Sequence, residues 1–446
     1  MNWNELLSTK RLGLEDRGGE AVLKDRSQFQ RDYDRIIFSS PFRRMQNKTQ
    51  VFPLPGRVFV HNRLTHSLEV ASVGRSLGSL LSDKLAEDKN TPYTTLQTEI
   101  GFVVSAACLA HDLGNPPFGH SGEVAISNFF IKGNGREFEG ILTPGEWTDF
   151  TRFDGNANAV RTLANQFNGK RQGGFALTYT TLASIIKYPF ESISATGQKF
   201  GFFQSEKDIY LRVANELNIP KTAENPGRYA RHPLVYLVEA ADDICYQIMD
   251  VEDAFKLGIL AYDEARALFL GFYDEKDDEE KLKEISHTLK VVTDLNEQIS
   301  YLRAGVIGKL MAQCADIFWQ NREAIMEGLY EGSLIRNLNT TQAVAMDAVK
   351  NISYSKIYNH RTVVEIEIAG YKIIDTLLDE FTGAVMNPKG TYSKKLISLL
   401  PQQYCPKDDS VYHRIQSVVD FVSGMTDIFA LDLYRKIRGI SLPEIG

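Results

Sequence analysis

The sequence predicts an all-α fold, and three observations carry that reading. Six long segments repeat apolar residues at spacings of three and four, the period of a helix with a buried face. Alternating apolar and polar runs, the mark of half-buried strands, are few. No regular strand–helix alternation occurs, which disfavours a doubly wound sheet.

The elements follow in order. Leu64–Leu85 includes Leu68, Val70, Val73 and Leu77 along an apolar face. Thr98–His111 contains IGFVVSAACLA, which is apolar throughout and is expected to be buried. Leu234–Ala254 contains LVYLVEAADDICYQIM, an apolar run with acidic residues inside it. Ala304–Leu329, Val363–Phe381 and Ser410–Lys436 complete the helical set. Phe175–Leu182 and Thr362–Ile368 fit short strands, the second fitting a helix equally well. Lys132–Arg136, Asn168–Gly174 and Glu137–Asp149 read as loops. The charge run Asp274–Glu284 reads as a solvated helix start or loop. Polar character rises after about residue 270, which divides the chain into a core over 1–270 and a helical C-terminal region over 271–446. Without a Pro/Ser-rich linker or a repeat, the two are expected to form one cooperative unit.

Composition narrows the function classes. With 446 residues, 43% hydrophobic and 24% charged, the chain can bury a large core, and disorder and collagen are excluded. Fifty Lys+Arg against 57 Asp+Glu give −7, so an anionic ligand requires a local concentration of cations. Cys108, Cys245, Cys314 and Cys405 form no CxxC pair, which argues against thiolate zinc and disulfide frameworks. The N-terminal residues lack a signal-type apolar region, and the longest apolar stretch, Ile100–Ala110, is about half a bilayer span. A soluble cytoplasmic protein with no membrane partner is the expectation.

Histidines carry the first sign of chemistry. Four of the eight, His61, His66, His111 and His120, fall between 61 and 120. His111-Asp112 closes the apolar IGFVVSAACLA segment, where two ionisable neighbours are costly unless paired. A histidine serving the helix dipole, with an exposed Asp112, is the alternative. His66 lies on a helix upstream, and Asp242 sits between Leu237-Val238 and Ile244 downstream. Two His and two Asp from three helices make a nitrogen–oxygen site for a hard or borderline divalent ion. Gly114 and Pro116-Pro117 then force a loop, after which His120 and Glu123 share a face if the turn is helical, with Ser121 as a cap. Such a pair suits proton handling; a surface histidine beside a chance carboxylate is the alternative. His61 reads as a loop residue.

Seven segments in order resemble the HD-domain dNTP triphosphohydrolases, the dGTPase-like bacterial family. They are FQRDYDRIIFSSPFRRMQNKTQVFPL (29–54), RLTHSLEVASVGR (63–75), AACLAHDLGNPPFGHSGE (106–123), FDGNANAVRTL (153–163), IIKYPF (185–190), LVEAADDICYQIMDVEDA (237–254) and FVSGMTDIFALDLYRKIRG (421–439). The resemblance implies an HD-domain helical core with a helical C-terminal extension. It implies hydrolysis of a dNTP, dGTP among them, to a deoxynucleoside and triphosphate. His66, His111, Asp112 and Asp242 are then the metal ligands, and His120 and Glu123 the catalytic pair. Water at the metal or positioned by His120 attacks the α-phosphorus, and the P–O5′ bond breaks. Substrate contacts carried over are Gln50 at the 3′-hydroxyl, Arg63 and Lys187 at phosphate, and Tyr188 at sugar or phosphate. Tyr246 and Asp250 follow Asp242 by four and eight residues on one helix face, where they suit exclusion of a 2′-hydroxyl and acceptance of the 3′-hydroxyl. Asn156 and Arg414 are weaker candidates, Arg414 reaching a site across a subunit interface.

One divalent ion per subunit follows, Mg or Mn first, with Fe, Co or Ni as alternatives. Relatives form hexamers or other dimer-based oligomers, and some respond to a second dNTP as activator. Single-stranded DNA is an open partner that no basic patch indicates. Two other functions stay open: an HD phosphohydrolase of another nucleotide phosphate ester, and a nucleotide-regulated oligomeric binding protein without catalysis.

Overall fold

The computed structural model describes residues 1–16, 26–52, 60–89, 94–224, 227–406 and 408–442. Among the described residues there are twenty α-helices and one two-stranded hairpin, Lys221–Glu224 with Gly227–Tyr229. The fold is all-α, as expected. Its helices enclose two hydrophobic cores, and the candidate site lies where the cores meet.

The first core centres on Ile100–Ala110, ten of whose eleven residues are buried. Around it pack Gln28–Ile37, Arg63–Glu87, Tyr179–Ile185 and Val235–Lys256, and Leu295–Gln320 covers the outer side. The 63–87 and 100–110 helices approach closely because Gly78 faces Gly101; a Cβ on Gly78 would lie 2.7 Å from the Gly101 Cα. Each fully buried Leu or Val here contributes about 1.5–3 kcal/mol of transfer energy.

The second core joins Gly119–Ile131 to the long Arg361–Met386 helix. Phe129, Phe130, Phe150, Phe200 and Phe203 fill it, together with Phe381 and Phe421. Val411–Ser423 and Asp427–Ile437 close the outer side. Arg161, on Gly155–Ala164, ties helices together by ion pairs to Asp420 at 2.6 Å and Glu206 at 2.7 Å. All three side chains are nearly fully buried, so removing one leaves uncompensated charge, at about 3–5 kcal/mol.

Several elements differ from their sequence reading. Phe175–Leu182 is not a strand: Thr178 makes one isolated bridge to Arg11 and caps the 179–185 helix. Thr362–Ile368 is the first part of the 361–386 helix. Ala304–Leu329 belongs to two helices, since Leu295–Gln320 stops at Asn321 and Arg322–Glu327 ends at Gly328 in the left-handed region. Ser410–Lys436 also divides, because Thr426 caps a new helix after Gly424. Glu137–Asp149 holds the helix Pro144–Thr151 with a Thr143–Glu146 capping box, so it is not a loop. The hairpin escaped notice because strands of four and three residues are too short to display a period of two.

Candidate active site

The ends of three helices in the first core converge on one point. Asn62 and Thr65 form a capping box that starts the 63–87 helix, fixing Arg63 and His66 in its first turn. His111 is the C-cap of the 100–110 helix. Its Nδ1–H donates to the Cys108 carbonyl at 2.6 Å, which leaves Nε2 with a free lone pair. That Nε2 is buried and has no hydrogen-bond partner. One donor atom each from His66, His111 and Asp112 lie within 4.8 Å of one another. Asp242 Oδ1 adjoins both rings, 3.1 Å from His66 Nε2 and 3.4 Å from His111 Nε2.

Nitrogen and carboxylate donors aimed at one another fit a divalent cation, with His66 and Asp112 buried and the Asp242 side chain 34% exposed. The orphaned His111 nitrogen is the specific sign. Electrostatics agree. Burial disfavours charge on Asp242, yet the His111 and His66 imidazoles hold its carboxyl well below the ordinary range. Burial also opposes charge on His111, but Asp112 and Asp242 raise it to about 9, so a cation takes the place of a proton. Arg63 donates to Asp112 Oδ2 at 2.7 Å, and the Asn115 amide donates to Oδ1, which orients that carboxylate.

The loop after Asp112 carries the chain into the second core. It lies tight against the 155–164 helix: a Cβ on Gly114 would meet Ala159 N and Gly155 O at 2.1 Å. Phe118, with φ 63°, starts the 119–131 helix without a side-chain cap, so Ser121 is not the cap. Gly119 abuts Arg63, whose Nη2 lies 2.8 Å from the position a Cβ would take. The His120 helix therefore begins beside the metal cluster. His120 Nδ1 lies 3.0 Å from Glu123 Oε2. Glu123 Oε1 accepts the Gly155 N–H at 2.7 Å, at the N-terminus of the 155–164 helix. Burial opposes charge on Glu123, but His120, Lys199 and that N–H keep it below the usual carboxylate range. The Glu123 hydrogen bond in turn raises the His120 imidazole.

Other predicted residues divide into those brought near and those not. Lys187 pairs with Glu239 at 2.9 Å, three residues before Asp242, and its ammonium sits 5.8 Å from the Tyr188 ring centroid. Tyr246 meets His66 edge-on at 6.4 Å between ring centroids. Asp250, 5% exposed, receives the Tyr358 hydroxyl at 2.8 Å. Gln50 follows Thr49, which bridges to Asn62 at the start of the 63–87 helix, and its Oε1 is buried without a partner. Asn156 is near Glu123 through Gly155, but its amide donates to Asp154 at 2.9 Å. Arg414 is not brought to the cluster within this chain; it binds Asp409 and the Val385 carbonyl.

Some residues at the site escaped the sequence reading. His61 lies outside any helix, as expected, but it is no idle loop residue. Its Nδ1 is 2.7 Å from Asp253 and its Nε2 3.0 Å from Glu69, joining two ligand-bearing helices. Burial opposes its charge, yet these two carboxylates raise it to about 10. Lys199 lies 3.2 Å from Asp154 and 3.5 Å from Glu123. Asp427 accepts from Thr49 N and Oγ1 at 2.8 and 2.6 Å, and from Phe118 N at 3.0 Å. Lys48 donates to the carbonyls of Asn115 and Ser423 at 2.5 and 2.9 Å. Within the segment 421–439, Asp427 pins both segments that flank the cluster.

Comparison with known proteins fits this geometry. The family model for the HD domain matches residues 63–255, and that for the phosphohydrolase-associated domain matches 337–436. A deoxyguanosinetriphosphate triphosphohydrolase-like protein of Synechocystis sp. is 37% identical over 99% of this chain and 100% of its own length. One from Pseudomonas aeruginosa is 36% identical over the whole of both chains. The chain belongs to this family of HD-domain phosphohydrolases. A deoxyguanosinetriphosphate triphosphohydrolase of Yersinia enterocolitica is more distant, 28% identical over 92% of this chain and 93% of that one. The HD match spans the His/Asp cluster and the His120–Glu123 pair, and the associated match spans Asp427. Among the described residues no helix is long and apolar enough to cross a membrane.

Proposed function

We propose that this HD phosphohydrolase cleaves a dNTP to a deoxynucleoside and inorganic triphosphate. The observation that carries the reading is the junction of a largely buried His/Asp cluster with a hydrogen-bonded His–Glu pair, between two separate cores. His66, His111, Asp112 and Asp242 would hold a divalent ion, Mg or Mn first, which supplies charge neutralisation at the α-phosphate. Arg63, already fixed on Asp112, presents its remaining guanidinium edge to phosphate. Lys187 and Arg231 both rest on Glu239, and a triphosphate draws them from it. These cations reverse the sign of a net-negative protein where a polyanion must enter.

His120 stands at the mouth, its side chain 78% exposed, while Glu123 behind it is buried. Glu123 holds the imidazole by Nδ1 and leaves Nε2 facing outward for proton exchange with water or the leaving O5′. Water adds to the α-phosphorus, the P–O5′ bond breaks, and O5′ takes up a proton. Tyr246, packed against His66, occupies the side where a 2′-hydroxyl would project. Gln50 offers its unpartnered amide oxygen to the sugar.

We assign a second dNTP to a separate cavity. A cavity of about 290 Å³ is lined by Arg44, Lys48, Lys170 and Arg171, with Phe167 and Tyr404 as ring-stacking surfaces. Burial and neighbouring Arg44 push the Lys48 ammonium down to about 7, so an anion there is compensated by a proton. We read the enzyme as cytoplasmic and oligomeric, with Phe38, 71% exposed beside this cavity's Ser39, available to a second copy.

The deciding experiment incubates the purified protein with Mn or Mg and each dNTP, alone and in pairs. Deoxynucleoside plus triphosphate is the expected product set. Release of only monophosphate and pyrophosphate, or no release from any dNTP or pair, overturns the reading.

A further inference from the structure

We propose that Tyr358 is a positioning residue for sugar recognition, orienting the Asp250 carboxylate so that its second oxygen accepts the 3′-hydroxyl of the nucleotide. The inference rests on the dNTP reading above and names a residue that reading lacks. Asp250 lies eight residues beyond Asp242, so the two share a helix face about 12 Å apart along the axis. Between them Tyr246 touches His66 on one side and stacks on the Tyr358 ring on the other, at 6.1 Å and 28°. A continuous wall thus runs from the metal cluster to Asp250, and Tyr358 closes its far end.

The geometry fixes one oxygen and leaves the other. The Tyr358 hydroxyl donates to Asp250 Oδ2 at 2.8 Å. Among the described residues no donor reaches Oδ1. A short, buried carboxylate with one oxygen tethered is held against rotation, which biases Oδ1 to one direction. The tether also acts on charge. Burial raises the Asp250 carboxyl to about 8 and nearby Asp253 adds to this, while the Tyr358 hydrogen bond and His61 work the other way. Losing the tether weakens Asp250 as an acceptor as well as loosening it.

The chain makes an unusual turn to deliver this side chain. Ser353–Ile357 is a single π-helical turn, and the Tyr358 N–H bonds back to the Ser353 carbonyl at 2.9 Å. Such turns occur mostly at functional sites. Ile357 is fully buried in the first core and anchors the turn. Asp250 lies in the HD match and Tyr358 in the phosphohydrolase-associated match, so each matched segment supplies half of the sugar end.

The test is Tyr358→Phe, which removes the hydroxyl, and with it the contacts to Asp250 and to Tyr246, and keeps the ring stack. Steady-state rates are measured with dGTP and with its 2′,3′-dideoxy analogue, using the full-length metal-loaded protein. Expected is a KM for dGTP raised about tenfold, the factor that 1.4 kcal/mol represents. The KM for the dideoxy analogue moves less than twofold, and the thermal midpoint is unchanged. Asp250→Asn shows the same selective loss, and the double variant adds little to it. Equal losses on both substrates, or no loss on dGTP, overturn the proposal. Tighter dGTP binding in Tyr358→Phe also overturns it, because the hydroxyl then competes with the sugar. A wild-type protein that releases no triphosphate refutes the dNTP reading first, which separates the two failures.

Discussion

The candidate metal cluster and the His120–Glu123 pair sit side by side but are built in opposite ways. The cluster hangs on first-core helices; His66, His111 and Asp112 expose only 3–14% of their side chains, and Asp242 exposes 34%. Two of its residues are oriented by a neighbour: Cys108 holds His111, and Arg63 and Asn115 hold Asp112. The pair belongs to the helix that packs into the second core, and its histidine is open to solvent. A metal site gains from rigidity and dryness, whereas a proton-handling group must exchange with water. Placing the two on different cores gives each its own environment while the 112–118 loop keeps them adjacent.

The largest expected effect comes from the rigid side. Asp112→Ala leaves Arg63 without its carboxylate and removes one donor from the cluster. It should abolish stoichiometric metal and reduce turnover about 10⁴-fold, the scale of several kcal/mol of lost charge stabilisation. Elemental analysis and initial rates check this; full metal retention removes Asp112 from the ligand set. On the open side, His120→Ala should keep the metal and lose about 10²–10³-fold in kcat. An unchanged kcat denies the histidine its role.

Between the two regions lies Asp427. Asp427→Asn replaces an acceptor oxygen with a donor opposite Thr49 or Phe118. The expected outcome is a kcat lower by roughly ten- to hundredfold with metal content intact, since the displaced loop carries His120. If metal is lost in step with rate, the clamp serves the cluster and not the pair.

The smallest effect is one of titration. Glu123 raises the His120 imidazole above its ordinary 6.5. The stabilisation from that pairing is therefore full below pH 6.5 and fades as pH rises through the raised value. The carboxylate's pKa is lowered from 4.5, so its share is full above 4.5 and is lost as pH falls through the lowered value. An NMR titration should find His120 above 6.5 in the wild type and back near 6.5 in Glu123→Gln. Identical titrations in the two proteins dissolve the pair.

Much of the candidate site's clustering was legible in the residue order. His111-Asp112 at the end of an apolar helix is a local pattern in which burial and charge conflict; Asp242 interrupts an apolar run in another helix, where the fold leaves its side chain 34% exposed. The spacing of His120 and Glu123 needs only one helical turn to bring them together. The helical fold itself follows from periodicity. Element ends were less legible, because Asn321, Gly424 and Thr426 interrupt apolar periods that run on across them.

The sequence by itself determined which helix faces are apolar and which polar residues those faces cannot bury alone. Tertiary structure decided which faces meet. Asp427 reaches Thr49 across 378 residues, Tyr358 reaches Asp250 across 108, and His61 reaches Asp253 across 192. Periodicity is a short-range property of the backbone, whereas these contacts follow from how two cores pack against one loop. A polar side chain on an ordinary helix end looks the same in sequence whether it faces solvent or closes an active site.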